Sequence, residues 1–137
     1  MIRIALAAAV VAVMLSACGR EACNCAVYTP HYPTAGFDLV VTEKDRAVTV
    51  HAGQKIELVL HARSGMSDWG SVSIDDPAVL RGVPTGVTAV KGVTIAGFEA
   101  VAPGTAKITA TAVPVCSPGQ ACPQLAMLYE VDVTVSA

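Results

Sequence analysis

The chain has few aromatic and few charged residues. Six of its 137 residues are Phe, Trp or Tyr, 15% are Asp, Glu, Lys or Arg, and the net charge is −2. The sequence contains no run of basic residues, and so few rings offer little surface on which bases can stack. We therefore expect no nucleic-acid partner.

A hydrophobic run long enough to cross a membrane is also missing. The run Ile4–Leu15 has twelve apolar residues, and as a helix it would span about 18 Å of a hydrocarbon core that is about 30 Å thick. It follows Arg3 and precedes small residues, which is the layout of an export signal. We expect a signal peptide over residues 1–17 rather than a transmembrane helix.

The end of this signal carries a more specific pattern. The quartet "LSAC", which ends at Cys18, resembles the lipobox of bacterial lipoproteins, and Gly19 suits the position after it. The resemblance implies cleavage before Cys18 and attachment of lipid to its sulfur. Two or three acyl chains make release from a bilayer negligible. The alternative is an ordinary signal peptide that happens to end beside a cysteine.

The lipobox resemblance implies where the protein resides. Through the lipid on Cys18 its partner is a membrane, which is the outer face of the cell membrane or, in a host with two membranes, the outer membrane. Gly19 in place of aspartate favours the outer membrane in such a host. Residues 18–36, which contain Pro30, Pro33 and Gly36, are expected to be a tether between the lipid and a domain at residues 37–137.

From Phe37 onward, apolar residues alternate with polar ones and follow no helical period. In "QKIELVLHA", Ile56, Leu58 and Leu60 fall on one side of the chain, and "TAKITATA" and "YEVDVTV" repeat the alternation. About seven such stretches, separated by turn residues, predict an all-β, immunoglobulin-like antiparallel sandwich of two sheets.

Besides Cys18, the sequence contains four cysteines: Cys23, Cys25, Cys116 and Cys122. An even number in an exported chain favours disulfides. A bridge within "CNC" would close a very tight ring, so we expect long-range pairing of the first two cysteines with the last two. The alternative is a metal-delivery protein that uses the four thiols, although their spacing differs from that of structural zinc sites.

Several stretches of the chain resemble those of a known family. The sequences "VHAGQKIELVLHA", "DWGSVSIDDPAVL", "GFEAVAPGTAKITATA" and "YEVDVTV" are similar to bacterial immunoglobulin-like domains of group 2, over residues 38–136. The segment 81–93 and the insert 116–122 depart from that family. The resemblance implies a non-enzymatic binding or structural module of the cell envelope, whose protein or envelope partner is unknown.

A second resemblance is to chagasin-type inhibitors of cysteine peptidases. Those proteins present three loops from one end of a small exported sandwich, and the corresponding loops here are 62–69, 82–93 and 114–126. Their NPTTGY loop is absent, because the aligned residues read "ARSGMSD". Gly65 and the two serines of this loop predict mobility, so we expect no tight inhibition of papain-like enzymes.

Candidate catalytic side chains are few. His61, Ser64 and Asp68 have the residue types of a nucleophilic triad, but they fall within eight residues of one loop with no sign of an oxyanion turn. The pair Asp75 and Asp76 precedes a proline, which predicts a turn first and a cation site second. We expect no enzymatic activity, no cofactor and no metal.

Trp69 has two interpretations. A large apolar side chain at the start of a strand is normally buried against the facing sheet, which makes Trp69 a core residue. Alternatively, Met66, Asp68 and Trp69 form an exposed contact loop, since aromatic anchors dominate many binding surfaces. The burial of Trp69 distinguishes the two interpretations.

Overall fold

The computed structural model describes residues 33–137, so Cys18, Cys23 and Cys25 lie outside the described residues. The described range forms eight β-strands and no helix, which confirms the all-β prediction. None of these residues therefore belongs to a helix with the length and apolar character that crossing a bilayer requires. The strands are β1 (Leu39–Thr42), β2 (Ala47–His51), β3 (Lys55–His61), β4 (Gly70–Ile74), β5 (Leu80–Val83), β6 (Val93–Ala100), β7 (Gly104–Ala112) and β8 (Met127–Ser136).

Two sheets of four strands pack face to face. The first sheet has the strand order β1-β3-β6-β5, and the second has the order β2-β8-β7-β4. The central pairs are antiparallel: Ile56 lies opposite Phe98 in the first sheet, and Ile108 lies opposite Val131 in the second. This arrangement confirms the immunoglobulin-like sandwich of two sheets.

The core between the sheets is built by the alternation that the sequence shows. In β3, Ile56, Leu58 and Leu60 are completely buried. Full burial of a side chain of this size contributes about 1.5–3 kcal/mol relative to leaving it in water. The rest of the core consists of Val41, Val50, Trp69, Val79, Leu80, Phe98, Ala100, Ala106, Ile108, Ala110, Ala112, Tyr129, Val131, Val133 and Val135.

Two pairs of strands run parallel, which the sequence pattern does not predict. β1 pairs with β3 in parallel, and β2 pairs with β8 in parallel. The chain follows β1 in the first sheet, turns at residues 43–46 into β2 of the second sheet, and returns to the first sheet as β3. Because one strand of opposite direction separates β1 from β3, these two strands point the same way. The eighth strand, beyond the seven that the sequence predicts, is β5, most of which lies in the segment 81–93.

The segment before β1 packs on the outer face of the first sheet. The backbone N–H of Thr34 donates to the Glu57 carboxylate at 2.7 Å, and the Thr34 hydroxyl donates to the same carboxylate. Glu57 is only 3% exposed. The Phe37 ring lies over Gly97, where a Cβ would come within 2.9 Å of that ring and 2.6 Å of the Val83 carbonyl oxygen. Residue 97 therefore has to be glycine for this segment to pack.

Candidate functional site

Three loops converge at one end of the sandwich. β3, β5 and β7 end there and β4, β6 and β8 begin there, as the pairs His61 with Val93 and Ala112 with Met127 require. The first loop is 62–69, the second is 84–92 and the third is 113–126. We call these three loops the loop end. They coincide closely with the three loops that the sequence predicts.

The first loop is hydrogen-bonded to the third. The Ser67 N–H donates to the Val113 carbonyl oxygen at 2.7 Å, and the Val115 N–H donates to the Gly65 carbonyl oxygen at 2.9 Å. The Val113 N–H donates to the Ser67 hydroxyl oxygen at 3.1 Å. These bonds fasten the loop backbone to its neighbour, which argues against the mobility expected from Gly65 and the serines.

The first loop is also hydrogen-bonded to the second. The Ala62 N–H donates to the Gly92 carbonyl oxygen at 2.8 Å. In the other direction, the Gly92 N–H donates to the Asp68 Oδ1 at 3.1 Å. Gly92 has a φ of 89°, which L-residues rarely adopt, so glycine is suited to this position. The three loops thus form one hydrogen-bonded unit.

Trp69 lies in the core at the base of the first loop, as the interpretation of Trp69 as a core residue predicts. Its side chain is 6% exposed, and Nε1 donates to the His61 carbonyl oxygen at 2.9 Å. Its own carbonyl oxygen accepts the Thr94 hydroxyl at 2.7 Å. Trp69 therefore anchors the loop and offers no contact surface. Met66 is half-buried against the core and Asp68 holds the second loop; a role for these two in contacting a partner stays a prediction.

Cys116 and Cys122 form a disulfide with each other, with Cα atoms 5.6 Å apart. This corrects the expected long-range pairing with Cys23 and Cys25, which lie outside the described residues. The physical reason is proximity, because the turn-forming sequence "SPGQA" between the two brings them together, with Gly119 at a φ of 82°. While the bridge is intact, neither sulfur is a thiolate that could bind a metal.

Exposed apolar side chains concentrate at the loop end. Val90 of the second loop is 65% exposed, and Val115 and Leu125 of the third loop are 66% and 62% exposed. The third loop carries no charged residue, and a shallow cleft of about 330 Å³ runs between its two arms. Monomeric proteins rarely concentrate exposed apolar side chains in this way unless the surface has a function. The set at or beside the loop end is Val87, Val90, Val113, Val115, Leu125 and Leu128, whereas Val101 lies at the opposite end.

His61 lies beside Glu43 at the margin of the loop end. Its Nδ1 is 3.2 Å from the Glu43 Oε1. Burial raises the pKa of the Glu43 carboxyl, but hydrogen bonds from its own backbone N–H and from His61 outweigh burial, so the pKa lies below its ordinary value. Asp68, by contrast, is bonded to Gly92. Two members of the candidate triad are thus engaged with different partners.

The acidic pair Asp75 and Asp76 serves local structure. The Asp76 Oδ1 accepts the Ala78 N–H at 2.9 Å, and the Asp75 Oδ1 accepts the Lys107 N–H at 2.7 Å. The first bond caps the turn that the sequence predicts, and the second fastens that turn to β7. Between residues 33 and 137, no group of three or more His, Cys, Asp or Glu side chains is placed to hold a metal ion.

The fold is similar to solved structures, whereas no family model and no curated protein matches the chain. The cysteine protease inhibitor EhICP2 from Entamoeba histolytica superimposes with a TM-score of 0.51 and 13% sequence identity, over 72% of this chain and 95% of the inhibitor. Amebosin gives a TM-score of 0.43 with 18% identity, over 74% of this chain and all of that one, a similarity too weak to support an argument. At 13% identity, the likeness to EhICP2 shows the fold alone.

The apolar residues of the third loop were missed by reasoning from the sequence. Val113, Val115 and Leu125 were given no role there, whereas the structure exposes all three, and the backbone of Val113 and Val115 is bonded to the first loop. A signal was present, because no charged residue occurs between Ala112 and Tyr129. An uncharged surface loop of that length is a candidate contact surface.

Proposed function

We propose that the protein is an inhibitor of papain-like cysteine peptidases and binds them through the loop end. The observation that carries this proposal is the concentration of exposed apolar side chains on three loops that are hydrogen-bonded to one another. A small domain that presents such a surface is suited to bind another protein. The fold that the chain shares with a cysteine protease inhibitor supports the choice of partner.

The bonding of the first loop removes the reason to expect weak inhibition. A loop that becomes ordered only on binding costs about 0.5–1.5 kcal/mol for each immobilised side chain. Here the backbone groups of Gly65 and Ser67 are already bonded to the third loop, and Asp68 is bonded to the second. The loop end therefore enters the active-site cleft of a peptidase without having to become ordered first.

Because the first loop lacks the NPTTGY sequence, we place the main contact with the peptidase on the third loop. The first loop reads "ARSGMSD" and carries mostly small or polar side chains, so it brings little apolar surface. Val113, Val115 and Leu125 of the third loop are each more than half exposed. We assign the main apolar contact to these three residues, with a further contact from Val90 of the second loop.

The decisive experiment titrates papain with the purified chain. Papain is activated, desalted into reductant-free buffer and assayed at once, so that the inhibitor keeps its disulfide. Val115→Ser and Leu125→Ser should each raise the inhibition constant about tenfold or more, because each removes a buried apolar contact. Their thermal unfolding should match that of the unchanged chain, since both side chains are exposed.

The matched control is Val101→Ser, which changes an exposed valine at the opposite end of the sandwich. This variant should inhibit as strongly as the unchanged chain. The proposal fails if the chain at about 10 μM leaves papain fully active, a concentration that corresponds to a binding free energy of only about −7 kcal/mol. It also fails if Val101→Ser and Val115→Ser weaken inhibition equally.

We also propose that the protein is held at a membrane through lipid on Cys18. β1 enters the sandwich at the end opposite the loops, where the Asp38 N–H donates to the Lys55 carbonyl oxygen at 2.9 Å. The loop end is therefore remote from the point at which the chain enters the domain. An anchor attached on that side leaves the loops accessible to a partner.

A second candidate function is an envelope module that binds a different protein through the same loop end. The lipobox pattern at Cys18 favours it, because an anchored protein meets other envelope components continually. Crosslinking on intact cells distinguishes the two candidates. Capture of a papain-like peptidase supports inhibition, whereas capture of another protein that is lost in Val115→Ser supports the envelope module.

A further inference from the structure

The third loop is long for a segment without regular secondary structure. The fourteen residues 113–126 separate Ala112, the last residue of β7, from Met127, the first residue of β8, and these two residues are paired. Unbridged loops longer than about 12–15 residues are uncommon in compact domains. Here the disulfide between Cys116 and Cys122 divides the loop into two short arms and a closed ring.

The bridge begins beside the bonds that hold the first loop. Cys116 directly follows Val115, whose N–H donates to the Gly65 carbonyl oxygen. In the same arm, the Val113 carbonyl oxygen accepts the Ser67 N–H. A constraint on the position of Cys116 is therefore a constraint on the arm to which the first loop is bonded.

The bridge is also open to attack from solvent. Cys122 is exposed and Cys116 is half-buried. Exposed disulfides on surface loops are the ones that small thiols and dithiols reach and reduce. The ring residues between the two cysteines are exposed as well, so reduction requires no opening of the core.

We infer that the Cys116–Cys122 disulfide is a redox-sensitive lock on the shape of the loop end. When it is reduced, the third loop gains conformational freedom and the hydrogen bonds to Gly65 and Ser67 open more often. The first loop then loses the order on which binding depends. The consequence for peptidases rests on the proposed function, whereas the coupling between the two loops does not.

The reaction that releases the lock is a two-electron exchange with a dithiol. One thiolate of the dithiol attacks the sulfur of Cys122 and forms a mixed disulfide, while Cys116 leaves as a thiolate and takes up a proton. The second thiol of the dithiol then displaces Cys122, which also becomes a thiol. The protein gains two electrons and two protons, and the dithiol is oxidised to a cyclic disulfide.

The test compares amide hydrogen exchange in the unchanged full chain and in the double variant Cys116→Ser/Cys122→Ser, both purified in detergent. In the variant, the amides of Ser67 and Val115 should exchange about tenfold faster or more, because they are bonded across the loops that the bridge holds. The amides of Leu58 and Ala96, in the core strands β3 and β6, should keep their protection. Retention of that protection shows that the variant is folded.

A second variant separates this bridge from the other cysteines. Cys23→Ser/Cys25→Ser should exchange as the unchanged chain does, and should show the same acceleration at Ser67 and Val115 when dithiothreitol is added. The inference is overturned if those two amides exchange equally with and without the bridge. It is equally overturned if Leu58 and Ala96 lose protection too, since the bridge would then stabilise the whole sandwich.

Inhibition is measured in parallel with reductant-free papain. If the inference and the proposed function both hold, the Cys116→Ser/Cys122→Ser variant inhibits about tenfold more weakly, or worse, than the oxidised chain. If neither form inhibits papain while Ser67 and Val115 behave as expected, the proposed function fails and the lock stands. If both forms inhibit equally and exchange equally, the lock fails and the proposed function stands.

Discussion

The indole ring of Trp69 meets the phenol ring of Tyr129 edge to face, with ring centroids 6.1 Å apart and planes inclined at 66°. Each ring also has a backbone acceptor for its polar atom. The Trp69 Nε1 donates to the His61 carbonyl oxygen, and the Tyr129 hydroxyl donates to the carbonyl oxygen of Thr42 at 2.9 Å. The pair therefore ties the base of the first loop to the turn between β1 and β2.

Trp69→Ala should destabilise the fold by about 3–5 kcal/mol, because it removes a buried aromatic ring and leaves a cavity. The measurement is urea denaturation followed by circular dichroism. Trp69→Phe should cost less, since it keeps a ring beside Tyr129 and loses the bond from Nε1. A loss below about 1 kcal/mol for Trp69→Ala would contradict the burial of this side chain.

Tyr129 should ionise only when the fold opens. Burial raises the pKa of its hydroxyl above the ordinary value of about 10, and the nearby Asp45 carboxylate raises it further. The folded state thus favours the neutral phenol, so this contribution to stability is complete below the unfolded pKa and is lost as the pH rises above it. Alkaline titration of tyrosine absorbance should show Tyr129 ionising together with unfolding, and Tyr129→Phe should lack that step.

Thr34→Val should destabilise the domain by about 1–2 kcal/mol, because it removes the hydroxyl donor to a carboxylate in the buried residue Glu57. Thermal and urea unfolding measure the change. Thr49→Val, at an exposed position of β2, is the matched control and should have an effect near zero. Equal effects of the two substitutions would show that the bond between Thr34 and Glu57 contributes nothing.

Cys18→Ser should abolish lipid attachment, because the thioether requires the sulfur of that cysteine. Labelled palmitate should enter the unchanged chain and be absent from the variant, and the variant should leave the detergent phase. A second substitution, Cys23→Ser, should leave labelling intact. The anchoring proposal is wrong if Cys18→Ser still partitions wholly into detergent.

Particular residues show how far the sequence predicts the fold. Ile56, Leu58 and Leu60 alternate with Glu57 and Val59, and that period assigns β3 and the face that it turns to the core, because strand side chains alternate between two faces. The burial of Glu57 and Val59 on the other face was not predicted. The parallel pairing of β1 with β3, and of β2 with β8, could not be predicted in the same way. Which sheet a short edge strand joins depends on the path of the turn at residues 43–46 and on the bond that Tyr129 makes to it.

The candidate site was predicted in part. The loop bounds that the second resemblance implied lie close to the observed ones, and the position of Trp69 before a strand favoured its burial. The bonds of Gly65 and Ser67 to the third loop could not be predicted, because glycine and serine indicate mobility only when nothing nearby accepts or donates. The absence of charge from 113 to 128 was visible in the sequence, but the exposure of Val113 and Val115 was not.

By itself, the sequence determined that this chain forms a sandwich of short strands and which side chains build its core, because alternation and turn chemistry are properties of neighbouring residues. Only the tertiary structure decided that Cys116 bonds to Cys122, that Trp69 is covered by the facing sheet, and that three loops join into one surface. The bridge depends on the turn within the third loop, whereas the other two outcomes depend on distances between residues that lie far apart in the sequence. Such distances are set only when the two sheets pack around their shared core.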